Sequence, residues 1–381
     1  MSRALRLAAV ALLALAGPAA AAQLGEPGAA AAVLARTPAE LPRAAPDRWK
    51  GAFEPAAEGD PRRPIAPAAI ARVQAAEEAY RRADYPAALV QLFAGLELEP
   101  DLPPALLVLG TTYFRLRRYG DVALSLERFL EVAPSQVWRT QALGHAYYSL
   151  GRYETARDHY RRVLAGLPDS PEALRGLALA HYRLGESETA LELLARVVAL
   201  RPDHAEAHAW RAQVLFDEGR TEEALEPAER ARELDPYVPR PWFLLAQIHH
   251  ELGRDEEARA VEARWREVDR LAQELRTVQG QLLYFPGSLE LARREVELQR
   301  ELGDQRGVLA AAPRALRNAP PPEAELELRI WALDAAEALG EADLARQLAT
   351  ALAARCGEDP AAKQRLAEYH RGAPDRETRS R

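Results

Sequence analysis

The chain has 381 residues, and 50 Lys and Arg against 57 Asp and Glu give it a formal net charge of −7. This acidic balance argues against a general binder of nucleic acid or anionic lipid, because both require a basic surface. A single cysteine, Cys356, excludes an intramolecular disulfide framework, a cysteine-based zinc site and an iron–sulfur cluster. Ala, Leu, Glu and Arg dominate the sequence, and all four favour helices.

Residues 1–22 have the features of a cleavable export signal. Two arginines precede an apolar stretch at 7–16, and small residues ending in Ala22 fit a cleavage site. The apolar stretch is shorter than the roughly 20 residues that a membrane-spanning helix needs. We expect cleavage after Ala22, a periplasmic or secreted mature protein and no membrane insertion. The alternative is an uncleaved N-terminal anchor.

Residues 23–66 are rich in Ala and Pro and have no hydrophobic period. Such a segment does not bury enough apolar surface to offset the entropy lost on ordering. We therefore predict a disordered linker over these residues.

From residue 69 the sequence repeats with a period of 34 residues, without a gap. The six blocks are 69–102, 103–136, 137–170, 171–204, 205–238 and 239–272. Position 8 is Ala or Gly, position 20 is Ala or Val, and position 32 is Pro in the first five blocks. Glycine at position 15 of blocks three to six indicates a turn between two helices, and the proline ends the second helix. We expect positions 8 and 20 to lie where the two helices approach each other closely.

This period resembles that of the tetratricopeptide repeat family. The matching motifs are Leu109-Gly110-x-x-Tyr113, Leu143-Gly144-x-x-Tyr147 and Trp242-x-x-Leu245. The resemblance implies an all-α, right-handed α-solenoid in which residues 67–272 form six tandem helix-turn-helix repeats. It also implies that the protein binds protein partners.

Beyond residue 272 the pattern is less regular. Residues 273–288 are expected to lengthen the last helix and then break it, and residues 289–360 fit two degenerate repeats. Residues 361–381 are expected to form a helix that caps the last apolar face, followed by a polar tail.

The sequence contains no recognised catalytic, cofactor or metal motif. His204 and His208 have a spacing that can bind a metal on one helix face, but His204 precedes the helix and a third ligand is not evident. P-loop, nucleophile-elbow and dinucleotide-binding motifs are absent from the sequence. We expect no catalysis, no cofactor and no metal.

In the resembled family, the first helix of each repeat lines a concave groove through block positions 2, 5, 9 and 12. The groove predicted here comprises Leu107, Phe114, Trp138, Gln141, His145, Tyr148, Arg175, Tyr182, Trp210, Gln213, Phe216, Phe243 and Gln247. Aromatic side chains dominate binding hot spots, but those at position 12 are equally explained by helix packing. The family's clamp for a C-terminal carboxylate does not carry over, because position 5 has no lysine and positions 6 and 9 have no asparagine.

We predict a non-catalytic scaffold that binds a peptide or protein partner in this groove, and no nucleic acid. One alternative is a component of an envelope or glycan-assembly enzyme complex with a site in 273–360. Another is self-association, by end-to-end stacking of repeats or by insertion of the N-terminal linker into the groove.

Overall fold

The computed structural model describes residues 33, 35–44, 65–285 and 287–372. Within these residues, seventeen α-helices follow one another and no β-strand occurs. No helix of this described part is long and apolar enough to cross a membrane. The all-α tandem-repeat fold predicted from the 34-residue period is confirmed. The predicted export signal, 1–22, lies outside the described residues.

The described residues divide into two compact units, one up to Trp265 and the other from Arg266 onward. The first unit contains six helical hairpins. Their first helices are α1 (Pro67–Arg81), α3 (Pro103–Arg115), α5 (Gln141–Ser149), α7 (Pro171–Arg183), α9 (Ala205–Asp217) and α11 (Pro239–Glu251). Their second helices are α2 (Tyr85–Leu98), α4 (Tyr119–Val132), α6 (Tyr153–Gly166), α8 (Ser187–Leu200), α10 (Thr221–Leu234) and α12 (Asp255–Tyr284).

First helices of consecutive repeats pack directly against each other in the pairs α1–α3, α3–α5, α5–α7 and α9–α11. Helices α7 and α9 meet through side chains, with the Tyr182 and Trp210 ring centroids 6.2 Å apart, so the first helices form one continuous surface. Helix α12 is 30 residues long, and its C-terminal part belongs to the second unit. That unit also contains α13 (Leu289–Leu302), α14 (Gln305–Arg317), α15 (Pro322–Ala338), α16 (Ala342–Ala353) and α17 (Pro360–Gly372).

The turn inside each hairpin has a left-handed residue at the same block position. In the first unit, Gly151, Gly185, Gly219 and Gly253 occupy it with φ between 70° and 81°. Ala83 and Arg117 take this conformation in the first two repeats, with φ of 57° and 56°, although they lack the conformational freedom of glycine. The turn position is thus set by the hairpin geometry and not by glycine alone.

Close approach of the two helices explains the small residue at position 8. A Cβ added to Gly144 would lie 2.7 Å from Cε1 of Tyr160, and one added to Gly110 would lie 2.5 Å from Cδ2 of Leu126. The Tyr160 ring also packs against Gly176 of the next repeat, where an added Cβ would lie 2.2 Å from Cζ. Tyr160 therefore fills the space within one repeat and between two.

The third repeat begins differently from the others. A 3-10 helix at Pro134–Arg139 precedes α5, so α5 has only nine residues. At the end of this turn, the backbone oxygen of Thr140 lies 3.0 Å from Nε2 of the buried His159. Burial lowers the pKa of His159 to about 4, which leaves the ring uncharged at neutral pH.

Residues 35–44, which we call the N-terminal arm, pack against the first two repeats. The arm contains a short 3-10 turn at Pro38–Glu40, and Leu41 is buried. Tyr113 donates a hydrogen bond of 2.8 Å from its hydroxyl to the backbone oxygen of Arg36. The prediction of a disordered linker is therefore wrong for these residues. The repeats supply hydrogen-bond partners for the arm, and these are not visible in the arm's own composition.

Replacing Gly144 by Leu should lower the free energy of unfolding by about 1–3 kcal/mol, because the new side chain must displace Tyr160. Chemical denaturation of wild-type and variant chains measures this change. Gly280→Ala is the control, since nothing lies within 4 Å of its added Cβ. That control should be neutral or stabilising by up to about 1 kcal/mol. Unchanged stability of the Gly144 variant would contradict the close helix approach.

Stability should fall as the pH is lowered from about 6.5 to about 4, in part through His159. Because the folded-state pKa lies below the unfolded value of 6.5, the unfolded chain binds the proton more readily in this window. The contribution is fully present above pH 6.5, is lost as pH falls towards 4, and amounts to roughly 3 kcal/mol. Unfolding free energies measured against pH should differ in slope between wild type and His159→Gln. Parallel curves would show that His159 does not contribute.

Candidate functional site

The predicted groove residues lie on the first helices of repeats two to six, with one exception. We call their shared surface the first-helix face. It consists of Leu107 and Phe114 on α3, Gln141, His145 and Tyr148 on α5, Arg175 and Tyr182 on α7, Trp210, Gln213 and Phe216 on α9, and Phe243 and Gln247 on α11. All are partly or largely exposed, so each combines packing with an accessible surface.

At the N-terminal part of this face, three rings form a cluster. His145 contacts Phe114 edge-on at 4.9 Å between ring centroids, and it lies 5.6 Å from Tyr119 of α4. Burial, together with the positive charge of Arg175, lowers the pKa of His145 below its ordinary value. The cluster is therefore an uncharged aromatic surface at neutral pH.

A second pair of rings follows in the next repeat. Tyr148 of α5 and Tyr153 of α6 meet edge-on at 5.4 Å. The guanidinium of Arg183 lies 5.0 Å from the centroid of the Tyr153 ring, and its Nη2 donates a hydrogen bond of 2.7 Å to the tyrosine hydroxyl. Both neighbours thus restrict the orientation of Tyr153.

Sequence reasoning missed the tyrosines at block position 17. Tyr85, Tyr119 and Tyr153 begin the second helices of the first three repeats, and each ring contacts the position-12 aromatic of its own repeat. Their recurrence at one block position was the available signal. The hairpin turn brings the two positions together although they belong to different helices.

The strongest aromatic arrangement on the face surrounds Trp210. Its ring lies 6.2 Å from that of Tyr182, and the guanidinium of Arg240 lies 3.6 Å from its centroid. A cation at this distance from an indole face is attracted by the ring quadrupole. Tyr182 also donates a hydrogen bond from its hydroxyl to Asp217, which accepts another from Gln213 at 3.0 Å.

Charges of both signs lie on this part of the face. Nε of Arg175 lies 3.3 Å from a carboxylate oxygen of Glu206 on the neighbouring helix. This atom is buried and has no hydrogen bond of good geometry, so the pair is electrostatic. Gln141 donates a hydrogen bond of 2.9 Å to the hydroxyl of Ser170. The face therefore offers hydrogen-bonding groups without a large excess of either charge.

Trp138 is the exception among the predicted groove residues. It lies in the 3-10 turn before α5, is 40% exposed, and has its Cβ against Gly166 at the end of α6. The prediction assumed a first helix starting at block position 1, and the turn at Pro134–Arg139 prevents this. Phe243 lies on α11 as predicted and is 44% exposed, but its ring contacts Trp265 of α12 at 5.1 Å and is not part of the Trp210 cluster.

The two histidines with metal-ligand spacing have other roles. His204 caps α9, its Nδ1 accepting a hydrogen bond of 3.2 Å from the backbone of Ala207. His208 is buried, with Nε2 lying 3.1 Å from the backbone oxygen of Pro202. In the part of the chain that the structure describes, no group of three or more His, Cys, Asp or Glu side chains is arranged to hold a metal ion.

Polar side chains in residues 273–360 pair across helices. Arg314 of α14 lies 3.0 Å from the buried carboxylate of Glu295 on α13, and Glu295 also accepts a hydrogen bond of 3.1 Å from Gln279. Arg294 lies within 3.2 Å of carboxylate oxygens of both Glu274 and Glu297. These contacts stabilise the packing of α12, α13 and α14 in the second unit.

Family models match the middle of the chain. A tetratricopeptide repeat model matches residues 147–214, and a model described as anaphase-promoting complex, cyclosome, subunit 3 matches residues 188–262. These matches and the tandem hairpins confirm the resemblance to the tetratricopeptide repeat family that the sequence shows. No curated protein matches the sequence.

Solved structures that align with part of this chain include MamA and PilW. MamA 41-end from Desulfovibrio magneticus RS-1 aligns with 20% identity and a TM-score of 0.43, covering 45% of this chain and 98% of that protein. PilW, described as a widely conserved type IV pilus biogenesis factor, aligns with 20% identity and a TM-score of 0.48, covering 52% of this chain and 92% of that protein. At these values the likeness describes the fold alone.

Proposed function

We propose that the first-helix face binds a protein partner, as an extended segment or as a helix, and that the protein acts as a non-catalytic scaffold. The observation that carries this proposal is the series of partly exposed aromatic side chains on consecutive first helices. Phe114, Tyr148, Tyr182 and Trp210 are each partly exposed. Such side chains provide large contact areas with few rotatable bonds.

These side chains are already held in place in the free protein, which favours a role in partner binding over a role in helix packing alone. Trp210 is held between Tyr182 and Arg240, and Tyr182 is itself fixed by Asp217. Each immobilised side chain that is already ordered in the free protein saves roughly 0.5–1.5 kcal/mol on association. A partner therefore meets a surface that loses little side-chain entropy when it binds.

The balance of positive and negative side chains on the first-helix face affects which partners the face can attract. Arg175 lies beside Glu206, and the negative charge of Asp217 acts on the guanidinium of Arg240, so charges of opposite sign are close together. Long-range attraction of a strongly charged partner is therefore weak at this face. Selectivity would come from apolar contacts with the rings and hydrogen bonds to groups such as Gln213 and Gln141.

We further propose that the scaffold acts outside the cytoplasm, with residues 1–22 removed on export. The arginine-containing start, the short apolar stretch and the small residues before Gln23 support this location.

Truncation of Trp210 tests the binding proposal. Trp210→Ala should weaken partner capture by about 2 kcal/mol or more while the helical content stays near that of the wild type. Leu177→Ala is the matched control from α7, because Leu177 is buried in the hydrophobic core. That change should lower stability by about 2–5 kcal/mol. Quantitative affinity capture from an envelope extract, compared with melting curves, separates the two effects.

The comparison of capture with melting distinguishes a binding role of Trp210 from a packing role. Reduced capture by a normally folded Trp210 variant supports the first-helix face as the partner site. Early melting of the Trp210 variant with normal capture by the folded fraction would show that the aromatic row serves packing only. If the captured partner is the protein itself, the same variant identifies self-association through this face.

Export is tested by the mass of the mature chain. Expression of the full gene in a bacterial host should give a periplasmic or secreted protein that begins at Gln23, because signal peptidase cleaves after small residues. Mass spectrometry of cell fractions measures both location and N-terminus. An intact chain recovered from the cytosol would contradict export, and an intact chain in the membrane fraction would indicate an uncleaved anchor.

A further inference from the structure

A buried ion pair lies beneath the N-terminal arm. Arg128 of α4 donates a hydrogen bond of 2.6 Å from Nε to Asp101, which lies in the loop between α2 and α3. Their side chains are only 4% and 6% exposed, respectively. Burial of a charged pair is costly unless the remaining donors and acceptors are satisfied.

The arm supplies those remaining hydrogen bonds from its backbone. Arg128 donates from Nη1 to the oxygen of Pro38 at 2.8 Å and from Nη2 to the oxygen of Pro42 at 2.7 Å. Asp101 accepts a hydrogen bond of 2.7 Å from the backbone nitrogen of Ala44. The ion pair therefore contacts both carbonyl and amide groups of the arm backbone.

An equivalent pair elsewhere in the repeats shows the difference that the arm makes. Arg196 and Asp169 occupy the same two block positions two repeats later, with Nη2 lying 2.6 Å from Oδ1. Without an arm over it, this pair is 49% and 68% exposed. The ion pair thus occurs at two places in the repeats, and it is buried at Arg128, where the arm is docked.

Side chains around the Arg128–Asp101 pair bind the two arginines of the arm. Arg36 places its guanidinium 4.0 Å from the centroid of the Phe93 ring and 2.9 Å from Glu97. Arg43 lies 2.6 Å from Glu131. Both glutamates stand at block position 29, where the next two repeats have Ala165 and Ala199. Glutamates therefore flank the Arg128–Asp101 pair, whereas alanines stand at the same block position around the Arg196–Asp169 pair.

We propose that this surface, the arm site, is a second peptide-binding site, independent of the first-helix face. The arm site consists of Phe93, Glu97, Asp101, Tyr113, Arg128 and Glu131. Its ligand class is a proline-containing segment with a short 3-10 turn and an arginine on either side of an apolar residue, and the arm is its occupant within the same chain.

The positions of Ala44 and Ala66 agree with an arm that occupies the site of its own chain. Ala44 is bound by Asp101, and the backbone nitrogen of Ala66 donates a hydrogen bond of 3.0 Å to Glu99, two residues away in the same loop. Both ends of the connecting residues are thus fixed at one loop. A tether of this kind gives the arm a high effective concentration at its site.

A full-length chain with Leu41→Asp tests the arm site, because a charge at this buried position should release the arm and leave the ion pair intact. Hydrogen exchange at residues 35–44 should be protected in the wild type and lose at least tenfold protection in the variant. A synthetic peptide of residues 33–44 should bind this variant saturably and bind the wild type at least tenfold more weakly, because the tethered arm competes.

Further substitutions in the Leu41→Asp chain identify the groups that bind. Arg128→Met combined with Asp101→Asn removes the pair without leaving a lone buried charge, and it should weaken peptide binding roughly 10- to 100-fold. Arg196→Met is the matched control and should leave binding unchanged. The proposal is overturned if the folded Leu41 variant does not bind the peptide, or if both substitutions weaken binding equally. Arm-dependent dimers in light scattering would also overturn the assignment to one chain.

Discussion

Close approach of the two helices in each hairpin is the constraint on which the rest of the structure depends. Only hydrogen atoms occupy the side-chain position of Gly144, so the Tyr160 ring can lie directly against α5. The same ring packs against Gly176, which fixes the distance to the next repeat. Because the spacing within and between repeats is set by such contacts, side chains at positions 5, 9 and 12 recur in register. The small side chains required where the helices approach each other thus determine the spacing of the aromatic residues on the first-helix face.

Most of the fold could be predicted from the sequence, because the helices, turns and small residues recur with one period. Local departures from that period could not. The first two hairpins place Ala83 and Arg117 in a left-handed conformation that glycine usually occupies, since the helices on both sides determine the turn. The 3-10 turn at Pro134–Arg139 shortens α5 and leaves Trp138 outside the first helix of its repeat. Both departures depend on tertiary packing, which no single block of the sequence contains.

The candidate site was predicted less completely than the fold, since block position identifies which helix face a residue occupies but not which neighbour it meets. Arg240 stands at position 2 of its block, yet its guanidinium reaches across to Trp210 of the preceding repeat. Tyr153 belongs to a second helix and still contacts Tyr148 of the first. The arm is the extreme case, because Arg128 binds a carbonyl oxygen 90 residues earlier in the chain. Contacts at such separations depend on the assembled repeats and not on local composition.

The two candidate binding surfaces use the same repeat in different ways. On the first-helix face, accessible rings and paired charges favour contacts between side chains, so the identity of the partner's residues matters there. At the arm site, Arg128 and Asp101 bind backbone atoms, so the backbone conformation of the bound segment matters as much as its sequence. The flanking glutamates and Phe93 then add selectivity for arginine. Because the ion pair recurs at Arg196 without these flanking groups, one repeat scaffold can gain a peptide site by changing only a few surrounding residues.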